Sequence, residues 1–213
     1  MKIQWLMAAA AVGCFAAASA QASTNFALSS EGASFVSGSS IIADGTFGLS
    51  ISHAQMEANL LTNTPSPAIS NGDERYIFGD SDPAGTIVID LGSERALTSI
   101  GAIVDTPAMG DRPISAFSVE ISTDGMNFTP WGSEPINGMT TDPLSIAGSG
   151  TAQYVLYDFG PTGTPYGLGN GGSGISQLEA NGVPEPASWA IMLVGFGAVG
   201  ATMRSRRRQV AAA

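Results

Sequence analysis

Residues 116–125 read AFSVEISTDG, and this stretch decides the fold class. Hydrophobic and polar residues alternate along it, and the hydrophobic ones share one face: Phe117, Val119 and Ile121. Alternation with a period of two residues is typical of a β-strand that is buried on one side. The Asp124-Gly125 pair that follows is a strong signal for a hairpin turn. The stretch therefore predicts an antiparallel strand pair.

Several other segments between residues 21 and 182 have strand-like composition: Thr86–Leu91, Leu97–Val104, Gln153–Phe159 and Ile175–Ala180. Only one short helix is predicted, around His53–Leu61. Strands that follow one another without helical repeats between them favour an antiparallel sandwich or barrel. The sequence thus predicts an all-β domain, an antiparallel β-sandwich, over residues 21–182.

The charge of the chain argues against nucleic-acid binding. Only 12% of residues are charged, against about 25% in a typical soluble protein. Residues 21–184 carry three arginines and 17 acidic side chains, a net charge of −14. A domain of this charge repels phosphate backbones, so no nucleic acid is expected among its partners.

Catalytic residues are hard to find in this sequence. The single histidine, His53, and the single cysteine, Cys14, exclude disulfide scaffolds, Cys/His zinc sites and mechanisms that need several histidines. Two carboxylate pairs, Asp73/Glu74 and Asp80/Asp82, lie in a turn-rich polar stretch. Acid–base hydrolysis, a calcium-binding loop and a solvated loop are all open interpretations of these pairs. We predict no catalytic residue.

The first twenty residues have the pattern of a secretory signal peptide. Lys2 is followed by the uncharged segment 3–18 and by a small-residue cleavage site, Ala18-Ser19-Ala20. Cleavage after Ala20 would also remove Cys14, although a lipoprotein signal and a membrane anchor are alternative interpretations. The mature chain is therefore expected to be exported across the inner membrane.

The C-terminal segment predicts a membrane span. Ala187–Met203 contains 17 uncharged residues, which span about 26 Å as a helix. Four arginines follow in the next five positions, and such a cluster stays on the cytoplasmic side. The upstream domain is then placed on the outer side of that membrane.

Residues 183–208 resemble the PEP-CTERM sorting signal of exopolysaccharide-producing Gram-negative bacteria, in its PEP-x-x-W-A variant. The resemblance rests on these residues: Pro184, Glu185, Pro186, Trp189, Ala190, the Gly195-Phe196-Gly197 core, Arg206, Arg207 and Arg208. It implies processing by an exosortase-type membrane protease near Pro-Glu-Pro, after transient membrane insertion, with release or transfer to the cell surface. An ordinary anchor with a basic stop-transfer tail is the alternative.

Residues 35–182 resemble the discoidin family, also called coagulation factor V/VIII type C. The matching stretches, in order, are Ile89–Gly92, Phe117–Gly125, Gln153–Val155 and Gly174–Glu179. The resemblance implies a galactose-binding-like jelly roll, although the family's early Trp and its paired terminal cysteines are missing. It also implies a structural calcium ion between the Asp44-Gly45 loop and Glu179. A plain turn at Asp44 and a surface Glu179 are the alternative, and no other cofactor is expected.

Five aromatic residues are candidates for a sugar-stacking platform: Tyr76, Phe78, Trp131, Tyr157 and Tyr166. The family comparison assigns Trp131 to the core, and Tyr166 lies in a glycine-rich loop that favours exposure. The leading hypothesis is a non-enzymatic exported binding module that associates with extracellular polysaccharide or a surface glycan. A structural matrix protein without a small ligand is the alternative, and a hydrolase lacks a suitable set of residues.

Overall fold

The computed structural model describes residues 23–39, 52–65, 68–69, 72–73, 75–79, 85–104, 114–136, 142–160, 174–183 and 195–197. These residues form an almost entirely β structure with a 3-10 helix (Ser29–Glu31), the α-helix α1 (His53–Asn59) and one helical turn at residues 195–197. The strands are β1 (Thr24–Asn25), β2 (Ser34–Gly38), β3 (Ala68–Ile69), β4 (Gly72–Asp73), β5 (Tyr76–Ile77), β6 (Gly85–Ile103), β7 (Phe117–Ser122), β8 (Thr129–Glu134), β9 (Leu144–Phe159), β10 (Gly174–Ile175) and β11 (Gln177–Gly182).

Two long strands, β6 and β9, run through both layers of a β-sandwich. They are antiparallel and pair along both of their halves, from Gly85 opposite Phe159 to Ala102 opposite Leu144. The first half of β6 also pairs with β2, and its second half pairs with β11. One layer therefore has the order β2-β6-β9-β7-β8, and the other has the order β1-β11-β6-β9. The predicted all-β antiparallel sandwich is confirmed.

The prediction of two separate strands at Thr86–Leu91 and Leu97–Val104 is wrong, because one bent strand covers almost all of both. The pairing register with β9 shifts between Asp90 and Arg95, where β6 turns from one layer into the other. Gly92 makes this bend with a positive φ of 78°, and its N–H donates to the Asp90 carboxylate at 2.7 Å. Gly92 and the polar residues after it suggested a loop between two strands. In the structure they form an irregularity within one continuous strand.

The bend is also held from the N-terminal side of the chain. The Arg95 guanidinium lies 4.8 Å from the centre of the Phe26 ring and donates to the Glu31 carbonyl at 3.3 Å. A cation over an aromatic face contributes about 0.5–1 kcal/mol at exposed sites. Arg95 therefore ties the first described turn of the chain to the corner of the sandwich.

The predicted hydrophobic face of residues 116–122 packs into the core. Phe117 and Val119 are about 1% exposed, and Ile121 packs against the core from its edge. The Phe117 ring lies 5.3 Å from the Phe159 ring, centre to centre. Aromatic pairs at this separation add about 0.5–1.5 kcal/mol to the effect of burial.

The predicted hairpin after β7 is confirmed, but its connection, residues 123–128, is longer than a two-residue turn. The Asp124 carboxylate organises it by accepting hydrogen bonds from the N–H groups of Asn127 and Met126 and from the side chains of Asn127 and Ser122. These bonds hold the pKa of Asp124 well below its usual range. The loop therefore keeps its charge and its hydrogen bonds in mild acid.

The remaining predicted elements are also present. Helix α1 begins after Ser52, whose side chain accepts from the Gln55 N–H at 3.3 Å, an N-cap arrangement. The last predicted strand is split at Ser176 into β10 and β11, because β10 pairs with β5 and β11 pairs with β6.

The strand registers define two ends of the sandwich. We call the end with the bend of β6 the bent end, and there Thr24 of β1 lies opposite Gly182 of β11. At the opposite end Phe117 pairs with both Glu134 and Phe159. Ser122 is five residue steps from Phe117 along β7, so the two ends are about 17 Å apart. Both termini of the described domain therefore leave from the bent end.

We expect the bend to be sensitive to a single methyl group at Gly92. Gly92 and Gly32 both have a positive φ, but a Cβ at Gly92 would lie 2.7 Å from the Gly32 carbonyl oxygen, whereas a Cβ at Gly32 meets nothing within 4 Å. Gly32→Ala should therefore lower the free energy of unfolding by about 1 kcal/mol, through backbone strain alone. Gly92→Ala should lower it by about 3 kcal/mol, because the collision with backbone adds to the strain. Urea denaturation of both variants measures the difference, and equal losses would contradict this account of the bend.

Candidate functional site

A cavity of about 400 Å³ opens at the end of the sandwich opposite the bent end. It lies where β7 begins and where β8 and β9 end. Its polar lining comes from three hydroxyls and two carboxylates: Ser115, Ser118, Ser133, Glu134 and Asp158. Its remaining lining is apolar or backbone: Ala116, Phe117, Ile136 and Gly160.

Strand pairing brings the polar side chains together from three strands. Ser118 of β7 lies opposite Ser133 of β8 on one side and opposite Asp158 of β9 on the other. Residues that face each other across antiparallel strands have their Cβ atoms about 5 Å apart. The three side chains therefore form one row on the outward face of the layer, beside the buried Phe117.

Hydrogen bonds at the rim fix the remaining lining groups. The Glu134 carboxylate accepts from the Ser145 N–H at 2.9 Å, which ties the end of β8 to the start of β9. The Gly160 N–H donates to the Ala116 carbonyl at 2.8 Å and closes the other side. Hydroxyls and an oriented carboxylate of this kind suit a ligand with many hydroxyl groups, since each hydroxyl can both donate and accept.

Sequence reasoning did not single out these residues. Ser118 appeared as a polar residue on the outer face of a strand, and Ser133, Glu134 and Asp158 carried no motif. Alternation predicts that Ser118 points outward, but it says nothing about which residues of other strands lie beside it. Only the register of β7 with β8 and β9 assembles the site.

For three of the five aromatic residues, the prediction of a sugar-stacking platform is wrong. Tyr76, Phe78 and Tyr157 are at most 2% exposed, so their ring faces are not available to a sugar. The Tyr157 hydroxyl donates to the Glu179 carbonyl at 3.0 Å, and burial raises the pKa of Tyr157 well above its usual value. Aromatic residues in short β-runs pack inward because they supply most of the buried area. Tyr166 lies outside the described residues.

Trp131 packs against the core from its edge, which agrees with the structural role that the family comparison predicted. It is half-buried, and its indole N–H donates to the Ile146 carbonyl at 3.0 Å. Its ring lies so close to Gly148 and Gly150 that a Cβ on either glycine would lie within 3.0 Å of it. Trp131 therefore braces β8 against the first half of β9.

The calcium prediction rests on Asp44 and Glu179, and the structure describes Glu179 alone. Glu179 lies on β11, where its carboxylate accepts from the Asn181 side chain at 3.4 Å. Asp44 lies outside the described residues, as do Glu74, Asp80, Asp82 and the side chain of Asp73. Within the described ranges, no three His, Cys, Asp or Glu side chains are close enough to hold a metal ion. Glu179 supplies one oxygen donor of the right kind, and the calcium site stays a prediction.

The predicted cleavage and recognition residues of the two targeting segments also lie outside the described part of the chain. They are Ala18, Ala20, Pro184, Glu185, Pro186, Trp189, Arg206, Arg207 and Arg208. Within the predicted span 187–203, the structure describes residues 195–197, which are helical and exposed. Among the described residues, no helix is sufficiently long and apolar to cross a membrane.

Comparison with protein families confirms the sorting signal. The model of the PEP-CTERM protein-sorting motif matches residues 182–208, the segment whose pattern predicted it. The motif indicates export and sorting to the cell surface. No curated protein matches the sequence significantly.

Comparison with solved structures defines the class of fold. A fragment of a putative chitobiase from Bacteroides thetaiotaomicron superposes with a TM-score of 0.54 at 16% identity, over 73% of this chain and 91% of that one. Chitosan-binding module 1 from a chitosanase/glucanase of Paenibacillus sp. IK-5 gives 0.49 at 20% identity, over 75% and 99%. A Clostridium perfringens CBM32-5 module, solved with GalNAc-β-1,3-galactose, gives 0.45 at 14% identity, over 69% and 93%. The described domain therefore shares the β-sandwich fold of the chitobiase fragment.

We expect Trp131 to contribute to stability and not to ligand binding. Trp131→Phe keeps a ring against Gly148 and Gly150 but removes the hydrogen bond to Ile146, so it should cost about 1 kcal/mol of unfolding free energy. Trp131→Ala also leaves a cavity and should cost about 3–5 kcal/mol. Urea denaturation measures both losses. A Trp131→Phe protein of unchanged stability that no longer binds a sugar bound by the wild type would contradict this assignment.

Proposed function

We propose that this protein is an exported, non-enzymatic carbohydrate-binding module that the PEP-CTERM motif sorts to the cell surface, where it associates with extracellular polysaccharide. The observation that carries the binding role is the cavity lined by Ser115, Ser118, Ser133, Glu134 and Asp158. Its hydroxyls and carboxylates come from paired strands and provide several hydrogen-bonding groups within one opening. Sugar hydroxyls are the partners that such a lining fits.

The position of the cavity supports this role. The chain passes from Gly182 of β11 into the sorting segment, so a membrane-inserted or covalently attached C-terminus would hold the domain by its bent end. The cavity lies at the other end, about 17 Å away along the strands. An anchored domain would then present the cavity away from its point of attachment, toward extracellular material.

The processing steps follow from the two targeting segments. A signal peptidase cuts after Ala20, and residues 187–203 hold the chain in the membrane until an exosortase-type protease acts near Pro184-Glu185-Pro186. The arginines at 206–208 stay on the cytoplasmic side of that span. The surface form then lacks both targeting segments, and its final attachment depends on the processing enzyme.

The sorting proposal predicts a change in chain length. Replacing Pro184, Glu185 and Pro186 by alanine should leave a longer, membrane-retained species, because the protease loses its recognition site. Intact-mass analysis of the membrane and surface fractions measures the outcome. A surface form of the wild type that still carries Arg206–Arg208 would contradict processing at this motif.

The binding proposal predicts that a bulky residue in the cavity blocks sugar. Ser118→Leu should lower affinity for a bound oligosaccharide by about tenfold or more, because the added side chain occupies the opening and removes a hydroxyl. The matched control is Ser37→Leu, an exposed serine on β2 of the same layer, which should leave affinity within about twofold. Calorimetric titration of the full chain in detergent with neutral and amino oligosaccharides measures both. If no sugar binds the wild type, the structural matrix protein becomes the better hypothesis.

A further inference from the structure

The last strand of the domain ends directly at the sorting motif. Strand β11 ends at Gly182, where the PEP-CTERM match begins, and Pro184 follows two residues later. An extended chain covers at most about 3.5 Å per residue, so the Cα atoms of Pro184 and Pro186 lie within about 7 Å and 14 Å of the Gly182 Cα. Any peptide bond that is cut within Pro184-Glu185-Pro186 is therefore close to the folded domain.

The end of β11 is held on both sides. Gly182 pairs with Thr24 of β1 on one side and with Leu97 of β6 on the other. The Thr98 hydroxyl donates to the carbonyl of the preceding residue, Asn181, at 3.2 Å. A protease that drew these residues out of the strand would break the pairing with both neighbours. The motif is therefore presented from a fixed point on the surface of the domain.

Small, uncharged side chains surround this point. Ala96 and Thr98 are exposed on the outward face of β6, on either side of the buried Leu97. A Cβ on Gly182 would collide with the Ala96 carbonyl oxygen, so Ala96 lies directly beside the last residue of the strand. Thr24 is half-buried on the other side. We call Thr24, Ala96 and Thr98 the exit corner, and its small side chains allow another protein to approach closely.

From this geometry we propose that the exit corner is a contact surface for the membrane-embedded protease that cuts at the PEP-CTERM motif. The wall of an active site is at least one secondary-structure element thick, and a helix with its side chains is about 10–12 Å across. An active site that encloses a bond within about 14 Å of Gly182 therefore touches the exit corner. This inference rests on the proposed function, because it requires processing at this motif.

The test measures how fast the full-length chain is converted to its surface form in cells that process it, by pulse labelling. Ala96→Trp places a bulky side chain on the exit corner and should slow conversion by about tenfold, because the protease then meets a steric clash. The matched control is Ala147→Trp, at an exposed alanine of β9. Ala147 is four residues, about 13 Å, along β9 from Thr151, the residue opposite Ala96. This variant should convert at the wild-type rate, and thermal melting of both variants checks that the fold is retained.

A spacer distinguishes contact at the exit corner from a general effect of the substitution. Six Gly and Ser residues inserted between Val183 and Pro184 move the motif up to about 20 Å further from Gly182. The insertion leaves the distance between the motif and the predicted membrane span unchanged, because it lies before both. In the chain with the spacer, Ala96→Trp should no longer slow conversion.

The remaining outcomes separate this inference from the proposed sorting. Wild-type conversion in Ala96→Trp, or equal slowing in Ala147→Trp, would overturn the inference and leave processing at the motif intact. Slowing that persists unchanged in the chain with the spacer would also overturn it. Loss of cleavage when the spacer alone is inserted would support it, because only the distance from the exit corner has changed. A wild-type surface form that still carries Arg206–Arg208 would overturn both the inference and the proposed processing.

Discussion

The pairing of β6 with β9 along both of their halves is the constraint on which the structure depends. Each strand belongs to both layers, so the same set of backbone hydrogen bonds holds each layer together and joins the two. β2, β7 and β11 each add to a half of this pair. The order of strands follows from it, as does the separation of the sandwich into a bent end and an opposite end. A residue near one end of β7 can therefore line a site only with residues from the same ends of β8 and β9.

The bend requires local features that a regular strand does not have. Gly92 has a backbone conformation that side chains rarely adopt, and it passes too close to the Gly32 carbonyl for a Cβ to fit. Arg95 covers the Phe26 ring on the same corner. These contacts involve the N-terminal turn of the domain, so the stability of the bend depends on a segment that is distant in sequence. On the other side of the sandwich, Trp131 braces β8 against β9.

The same arrangement of strands places the sorting motif and the polar cavity at opposite ends of the sandwich. β1 and β11 are neighbours at the bent end, and the sorting motif begins where β11 ends. The polar cavity opens at the opposite end and is built from strand residues and their immediate neighbours. Strands hold side chains more rigidly than long loops do, which favours a preorganised binding surface. Attachment of the chain at one end is therefore compatible with a ligand bound at the other.

The sequence by itself determined the local features whose signals are local: the alternation of Phe117, Val119 and Ile121, the hairpin at Asp124-Gly125, the short helix near His53 and the PEP-CTERM motif at 182–208. It did not predict that Thr86–Leu91 and Leu97–Val104 belong to one strand, because a glycine with polar neighbours looks the same in a loop and in a bulge. It also left Tyr76, Phe78 and Tyr157 as candidates for a sugar-stacking platform, because burial decides between core and surface and burial depends on the whole fold. Only the tertiary structure brought Ser118, Ser133 and Asp158 into one row, because the register between strands distant in sequence is set by packing and by the bend, which no single segment contains.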